Sequence, residues 1–382
     1  MRQSYRIIPI YTADVSGVCS ALYELGGMTI MHDSSGCNST YNTHDETRWY
    51  DKDSLIFISA LSEIEAIMGD DDKLIDDIVY AAQEFKPEFI ALASSPMPYM
   101  NGTDFSAIVK ILEERTGIPS FFVPTNGMHD YVTGAGKAMA EIARRFVRKD
   151  LKCTNRRSVN LLGVTPLDFT KESSQKAMRD VLMKNGWDVV SCWAMGDKLE
   201  TLARAGEAAV NLVVSSVGYE AARVLREMCG TPYVVGTPIG KFTDELITAM
   251  EKAVETGANI SPYAERNEQD NYDAVIIGEP VTCGSLAEAV KAKYGVNVRT
   301  ICPLEADDEC LPAGALRAIG EEQAQEQLKD ARAVIADPLY KPILSSGSAF
   351  YPLPHEAFSG RVFWKSMPDL IELMKEDNDG TE

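Results

Sequence analysis

Short apolar runs alternate along the chain with longer segments in which apolar residues recur at the spacing of an amphipathic helix. In the first third, apolar runs have the length of buried strands at 55–60, 89–93 and 120–123, and helical spacing occurs at 71–84, 105–115 and 133–148. A strand, a crossover helix and a further strand form the repeating unit of parallel sheets. The pattern therefore predicts an α/β fold for this part of the chain.

The same alternation starts again twice, after polar segments at 145–157 and 261–271 that lack apolar periodicity. Strands are predicted in the second and third parts at 159–163, 188–192, 211–215, 231–235, 273–277, 297–302 and 333–337. Helices are predicted between and after them at 174–185, 199–209, 219–229, 243–255, 285–294, 321–329 and 367–375. We therefore expect three tandem Rossmann-like domains with mostly parallel sheets, at 1–152, 153–265 and 266–382.

The net charge of the chain limits the kinds of partner that it is expected to bind. The chain has 57 acidic and 37 basic side chains, for a net charge of -20. Because a polyanion binds to clustered Lys and Arg, neither nucleic acid nor an anionic membrane surface is an expected partner. No uncharged stretch has the roughly 18 residues of a membrane span, and residues 1–10 lack the pattern of an export signal. The sequence therefore predicts a cytoplasmic protein.

Two of the eight cysteines lie close to glycines near the N-terminus. Cys19 follows Gly17 and Cys37 follows Gly36, and we expect each thiol to lie at the end of a loop. Backbone N–H groups in such a turn lower the pKa of a thiol and donate hydrogen bonds to the sulfurs of an iron–sulfur cluster. The residues alone leave two interpretations open, a pair of buried core thiols or a pair of cluster ligands.

Three segments, at 15–41, 61–74 and 87–104, resemble the nitrogenase component 1 family, which includes nitrogenase molybdenum–iron protein subunits, an assembly scaffold and tetrapyrrole reductases. His32, Gly36 and Cys37 match a His-Gly-Pro-x-Gly-Cys loop of that family, and Cys19 matches its first cysteine. The resemblance implies that Cys19 and Cys37 ligate an iron–sulfur cluster in the first domain. It also implies that Gly17 and Gly36 permit close backbone approach to the cluster, and that His32 supports the second loop from outside the ligand set.

The match departs from the family at the third cysteine, where this chain has Ser95. Since a neutral hydroxyl is a poor ligand compared with a thiolate, we expect an N-cap or other backbone hydrogen bond at Ser95 in preference to ligation. Asp33, which replaces a glycine of the loop, is a further candidate oxygen ligand. With two thiolates per chain, the resemblance implies a dimer in which two chains share one [4Fe-4S] cluster. A homodimer and a heterodimer with a related chain both remain open.

A second departure concerns the large metal cofactor of nitrogenase. The family's nitrogenases carry a cysteine ligand after a strand that corresponds to 211–215, and here that position has an apolar or hydroxyl side chain, so no molybdenum cofactor is expected. The cleft that this cofactor fills would then be free for an organic substrate. His355 loosely matches a C-terminal histidine of the family, and Ser215 and His355 are therefore candidate cleft residues.

The resemblance as a whole implies a nitrogenase-like oxidoreductase component. The chain has no complete P-loop, so the resemblance also implies an ATP-dependent iron–sulfur reductase as the source of electrons. The small substrate and the catalytic acid and base are not identified by the sequence. Two alternatives stay open: a scaffold that holds a metal cluster during assembly without turnover, and a binding protein that has kept the fold and lost the cluster.

Overall fold

The computed structural model describes residues 5–36, 46–263 and 272–374. Its strands form three separate sheets of four, four and five strands, and every pair of neighbouring strands is parallel. Each sheet is built from strands that follow one another in one part of the chain. The predicted fold of three parallel α/β units is therefore confirmed.

The first unit extends from residue 14 to residue 146. Its elements are α1 (Asp14–Leu22), β1 (Met28–His32), β2 (Leu55–Ile58), α2 (Glu63–Met68), α3 (Asp72–Phe85), β3 (Ile90–Ser94), α4 (Pro96–Asn101), α5 (Phe105–Thr116), β4 (Ser120–Val123) and α6 (Tyr131–Phe146). The sheet order is β2-β1-β3-β4, with His32 of β1 paired to Ser94 of β3. The order reverses between β1 and β3, and in open parallel sheets ligands bind at the carboxyl ends of the strands at this point.

The second unit repeats this strand order. Its elements are β5 (Ser158–Leu162), α7 (Pro166–Phe169), α8 (Glu172–Lys184), β6 (Asp188–Cys192), α9 (Leu199–Leu202), β7 (Val210–Val213), α10 (Tyr219–Cys229), β8 (Tyr233–Val235) and α11 (Phe242–Thr256). The sheet order is β6-β5-β7-β8, so the reversal lies between β5 and β7. Ser215 lies two residues after the end of β7, which is one of the two strands at this reversal.

The third unit has five strands. Its elements are β9 (Ala274–Ile277), α12 (Pro280–Tyr294), β10 (Val298–Cys302), β11 (Leu316–Arg317), α13 (Glu321–Leu328), β12 (Ala333–Ala336), β13 (Ala349–Pro352), α14 (Glu356–Ser359) and α15 (Leu370–Leu373). The order β11-β10-β9-β12-β13 places the reversal between β9 and β12. The domain limits at 152 and 265 stay predictions.

Helices α1 and α6 pack unusually closely in the core of the first unit, and two glycines make this possible. A Cβ atom added to Gly17 would lie 2.3 Å from the carbonyl oxygen of Tyr131, and one added to Gly134 would lie only 1.8 Å from that of Asp14. Real Cβ atoms do not approach backbone oxygens this closely, because van der Waals repulsion rises steeply at such distances. Glycine at both positions therefore permits the crossing of these two helices.

Several predicted elements differ in extent from the observed ones. The helix predicted at 199–209 ends at Leu202 and is followed by a 3-10 turn, and the helix predicted at 367–375 is described only over Leu370–Leu373. The sequence pattern missed β11 and β13, which are the two edge strands of the third sheet. Both are short and partly exposed, so they lack the continuous apolar run that marks a buried strand. No helix among the described residues is long and apolar enough to cross a membrane.

Candidate functional site

The carboxyl edge of the first sheet gathers several residues that the sequence singled out. His32 ends β1, and its Nδ1 lies 2.8 Å from Oγ of Ser59. The same hydroxyl donates to the carbonyl of Asp33 and accepts the amide N–H of Asp33, each at 3.1 Å. Nδ1 and the hydroxyl therefore share a hydrogen bond, and the tautomer of the ring sets which of them is the donor. His32 thus fixes the start of the loop that leads to Gly36.

The His32 ring is neutral in this position. Its side chain is buried and meets Phe105 edge to face, with 5.8 Å between ring centroids. Burial disfavours the charged form and lowers the pKa of His32 to about 4. The ring therefore supports the start of the loop by a directed hydrogen bond, and its role beside a cluster stays a prediction.

Ser95 follows β3 at the same edge and occupies the N-cap position of α4. Its side chain makes no capping hydrogen bond, so the expected backbone bond is absent from the described structure. The hydroxyl is buried and has no hydrogen-bond partner within the described ranges. A buried polar atom without a partner is costly, and such atoms often mark the place of a group bound to the protein. Ser95 is therefore a neighbour of a candidate ligand position, as the resemblance at this turn implies.

The structure corrects the expected setting of Cys19. This residue lies inside α1, not at the end of a loop, and its side chain has no exposure to solvent. Burial and the nearby Glu46 carboxylate raise the pKa of the Cys19 thiol well above its usual value. Cys19 is therefore a neutral thiol here, and a cation such as cluster iron would be needed to favour its thiolate.

The other predicted cysteine, Cys37, lies outside the described residues. Within the described ranges, no group of three or more His, Cys, Asp or Glu side chains is arranged to hold a metal ion. The orphaned Ser95 hydroxyl and the hydrogen-bonded backbone of Asp33, a few residues before Cys37 in the sequence, fit a bound group at this edge. A complete set of four ligands, however, does not come from the described part of a single chain.

The two glycines of the predicted site have different environments. Gly17 faces α6 and serves helix packing, as its closeness to the Tyr131 carbonyl shows. A Cβ atom added to Gly36 would meet no atom within 4 Å, so Gly36 lies beside open space among the described residues. Close backbone approach to a cluster stays a prediction for both.

A narrow groove with a cavity volume of about 30 Å³ lies between the second and third units. It borders the carboxyl ends of β5, β9 and β13, and its apolar lining comes from Phe169, Ile277, Leu286, Leu353, Phe358 and Leu370. The titratable side chains that line it include Asp168, Glu279 and His355. The predicted cleft residue His355 therefore lies at an interdomain groove.

Asp168 is held by hydroxyl groups from two units. Tyr131, at the start of α6, donates a hydrogen bond of 2.5 Å to Oδ1, and Thr165 donates one of 3.0 Å to Oδ2. Nε2 of His355 lies 3.5 Å from Oδ1, and the Asp168 side chain has no exposure to solvent. All three units thus contribute a side chain at this carboxylate.

Glu279 occupies the N-cap of α12 and is fully buried. Its carboxylate accepts N–H bonds from Ser216 at 2.8 Å and Thr282 at 2.7 Å, which joins the second unit to the third. Burial and the nearby charge of Asp168 raise the pKa of Glu279. The Glu279 carboxyl group therefore holds a proton more readily than an exposed glutamate does.

The other predicted cleft residue has a different position. The Ser215 hydroxyl is buried and donates a hydrogen bond of 2.7 Å to the carbonyl of Gly163. It is not among the residues that line the groove. Ser215 therefore joins the ends of β5 and β7, and its neighbour Ser216 contacts Glu279.

The sequence reasoning missed Tyr131, Asp168 and Glu279 as site residues. Asp168 and Glu279 each follow a predicted strand by a few residues, so their position after β5 and β9 was an available signal. Tyr131 carried no such signal, because it begins a helix of the first unit and reaches Asp168 only through the packing of separate units.

Exposed apolar side chains form a patch on α2 and α4, beside the carboxyl edge of the first sheet. We define this patch by side chains that are between 55% and 79% exposed: Ile64, Ile67, Met68, Tyr99 and Met100. The two helices are joined by a hydrogen bond of 3.1 Å from Asn101 to the Ala66 carbonyl. An open groove of about 1020 Å³ runs along them and reaches His32. Contiguous exposed apolar groups of this kind mark protein interaction surfaces.

Comparisons with known proteins agree on one family. The family model for nitrogenase component 1 type oxidoreductases matches residues 17–298. The chain is 24% identical over 242 residues to a subunit of the light-independent protochlorophyllide reductase of Nostoc punctiforme, an alignment that covers 60% of this chain and 48% of that protein. It is 21% identical over 276 residues to the nitrogenase molybdenum-iron protein beta chain of Methanothermobacter thermautotrophicus, covering 63% and 58%.

The fold is similar to a solved structure of nitrogenase Cp1 at pH 6.5. The TM-score is 0.68 at 17% sequence identity, and the match covers 97% of this chain and 93% of that one. The chain spans about half the length of the curated relatives it matches.

Proposed function

Because this chain belongs to the nitrogenase component 1 type oxidoreductase family, we propose that it is the electron-accepting component of a two-component reductase of the cytoplasm. In this proposal it holds a [4Fe-4S] cluster, receives electrons from an ATP-dependent iron–sulfur reductase, and reduces a small organic substrate. The observation that carries the proposal is the carboxyl edge of the first sheet. There, the loop that leads to Cys37 begins next to a buried Ser95 hydroxyl without a partner among the described residues.

The proposed cluster ligands are Cys19 and Cys37. When bound, a [4Fe-4S] cluster accepts and releases one electron at a time. Two thiolates per chain are half of the usual four, so we propose that a second chain supplies the other two. The chain's own contribution is to bury Cys19 and to orient the Cys37 loop through the His32–Ser59 hydrogen bond.

The patch on α2 and α4 is the proposed contact with the second chain. It lies beside the loop that leads to Cys37, so chains joined at this patch would bring their ligands towards a common axis. Burial of five large apolar side chains would also supply a favourable hydrophobic contribution to association. A second copy of this chain and a related chain are both compatible with the proposal.

The proposed substrate site is the groove between the second and third units. Its lining combines apolar side chains with polar ones that include Asp168, Glu279 and His355, which suits an organic molecule that carries polar groups, and the groove must widen to admit it. The relative in Nostoc punctiforme is named for reduction of protochlorophyllide, which is a tetrapyrrole. After β7 this chain has Ser215 in place of the expected cysteine ligand, which supports an organic substrate instead of a molybdenum cofactor.

Anaerobic purification with iron analysis tests the proposed cluster. We expect about four iron atoms per dimer and the charge-transfer absorbance of thiolate-bound iron. Cys19→Ala and Cys37→Ala should each abolish both signals, because each change removes two of the four thiolates of a homodimer. Cys192→Ala is the matched control, since Cys192 is also fully buried but lies in β6. A colourless, iron-free protein would contradict the proposal.

The candidate oxygen ligands are tested in the same way. We propose that Ser95 lies beside the cluster without ligating it, so Ser95→Ala should keep the iron content of the wild-type protein. Loss of iron in Ser95→Ala, or in Asp33→Asn, would assign that oxygen to the ligand set. Ser94→Ala serves as a control, because the Ser94 hydroxyl already bonds to a backbone carbonyl at 3.0 Å.

The alternative function is a non-catalytic scaffold for assembly of a cluster or cofactor. Family membership is compatible with it, and iron would be present in both cases. Addition of the reductase and ATP separates the two: repeated oxidation and reduction of the cluster with product formation supports the enzyme. Stable transfer of the whole cluster to an acceptor protein supports the scaffold.

A further inference from the structure

His355 lines the groove, and the proposed function gives this side chain no role. Its ring stacks on Phe358, with 4.6 Å between ring centroids, and its side chain is 14% exposed. Neither ring nitrogen has a hydrogen-bond partner within the described ranges. An imidazole that is shielded in this way and lacks partners is costly unless it serves a bound molecule.

The position of Asp168 gives the imidazole an orientation. Nε2 faces Oδ1 of Asp168 at 3.5 Å, which is slightly too long for a hydrogen bond in this structure. Contacts between catalytic groups are often long before a ligand binds, and they shorten when the site closes. Asp168 itself is held in place by the hydroxyl groups of Tyr131 and Thr165, so the carboxylate cannot turn away.

We propose that His355 is the proton donor for the substrate in the groove, and that Asp168 and Tyr131 are positioning residues that orient its ring. This inference rests on the proposed function, because reduction consumes protons as well as electrons. Nε2 keeps its proton toward Asp168, and the other ring nitrogen, Nδ1, faces the substrate.

Reduction of an unsaturated bond in the substrate takes up two electrons and two protons. Both electrons come from the iron–sulfur donor, and one proton comes from the His355 imidazolium as its Nδ1–H bond breaks. The proton forms a new bond to one substrate atom, and the imidazole remains neutral. A hydronium ion from the solvent supplies the second proton to the other substrate atom, and a further solvent proton later restores the imidazolium, so each turnover consumes two protons from solution.

The residues around the groove support this assignment of roles. Asp168 and Glu279 have no exposed surface, so neither carboxylate can reach a substrate directly. The His355 side chain lines the groove and keeps 14% of its surface exposed, but both ring nitrogens are buried, so a substrate reaches Nδ1 only after it displaces the groups that cover it.

The proposed orientation of the His355 ring can be tested by NMR on the nitrogen-15-labelled protein. The measured quantity is the rate at which the ring proton exchanges with water. The chain has four histidines, so the His355→Asn variant identifies the signals of His355 by their loss. In the wild-type protein we expect an observable proton on Nε2 that exchanges slowly. In Asp168→Asn this proton should exchange at least about tenfold faster, because the charged acceptor is gone.

A matched pair elsewhere in the chain provides the control. Nδ1 of His129 lies 2.8 Å from Oε2 of Glu305, so Glu305→Gln should change the signals of His129 and leave those of His355 unchanged. Tyr131→Phe is a second variant in case Asp168→Asn fails to fold, and it should speed the exchange at His355 by a smaller factor. The proposal is overturned if the wild-type proton sits on Nδ1 instead of Nε2, or if Asp168→Asn and Tyr131→Phe exchange at the wild-type rate. The measurement needs neither cluster nor reductase, so its failure is distinct from failure of the proposed function.

Discussion

The hydroxyl of Tyr131 donates a hydrogen bond of 2.5 Å to the buried carboxylate of Asp168, and this contact joins the first unit to the second. Both groups are shielded from solvent, so water cannot replace either partner. Hydrogen bonds to a charged acceptor are stronger than those between neutral groups. The contact therefore couples the packing of two units to the geometry of the groove.

Tyr131→Phe removes only the hydroxyl and leaves Asp168 with one donor fewer. We expect the free energy of unfolding to fall by about 1.5–3 kcal/mol, the usual contribution of a hydrogen bond to a charged group. Urea denaturation measures the change. Tyr80→Phe is the control, because Tyr80 is 73% exposed on α3 and should change stability by less than about 0.5 kcal/mol. Equal losses of unfolding free energy in Tyr131→Phe and Tyr80→Phe would show that the buried hydrogen bond does not stabilise the folded protein.

Gly17→Ala and Gly134→Ala should each force α1 and α6 apart. We expect a loss of at least about 1–3 kcal/mol in unfolding free energy, because the new methyl group meets a rigid backbone carbonyl. Gly136→Ala in the same helix is the matched control. There, the nearest atom to the added Cβ is a side-chain carbon of Glu220 at 3.4 Å, so the gain in helix propensity should make the change neutral or stabilising. Thermal denaturation of the three variants makes the comparison.

The raised pKa of Asp130 predicts that the free energy of unfolding depends on pH. Its carboxylate accepts N–H bonds from Val132 and Glu305, but burial dominates and raises its pKa from 3.8 to about 6. The folded state therefore binds more protons at Asp130 than the unfolded state between about pH 4 and pH 6. As a result, the contribution of Asp130 to the free energy of unfolding should decrease by about 3 kcal/mol as the pH rises through this window.

The comparison of wild-type protein with Asp130→Asn isolates this contribution from other titrating groups. Urea denaturation at several values from about pH 4 to pH 7 should show the wild-type protein losing stability relative to the variant as pH rises. Parallel curves would contradict the raised pKa.

Ile67→Asp should weaken the proposed contact between chains. Ile67 is 76% exposed on α2, so an aspartate there causes little loss of stability within one chain. In a dimer joined at this patch, the aspartate would be buried against apolar groups, and we expect the dissociation constant to rise by at least about tenfold. Analytical ultracentrifugation measures it. Tyr80→Asp, on the exposed face of α3, is the control, and dissociation in that variant alone would place the interface elsewhere.

Much of the fold was predictable because parallel sheets leave a strong local signal. A strand buried on both faces is a nearly continuous apolar run, as in β3 and β9, and a crossover helix such as α3 repeats its apolar residues every three or four positions. The edge strands β11 and β13 were missed because exposure removes that signal. Cys19 was placed in a loop because a glycine precedes it, but Gly17 serves the contact between α1 and α6.

The sequence by itself determined the three α/β units, the family resemblance and the cysteines proposed as ligands, since each depends on residues that are near one another along the chain. Only the tertiary structure decided which side chains meet at the groove. Tyr131, Asp168 and His355 come from different units, and no local pattern records their contact. The physical reason is that packing of separate sheets brings them together, and this packing depends on shape and burial over the whole chain.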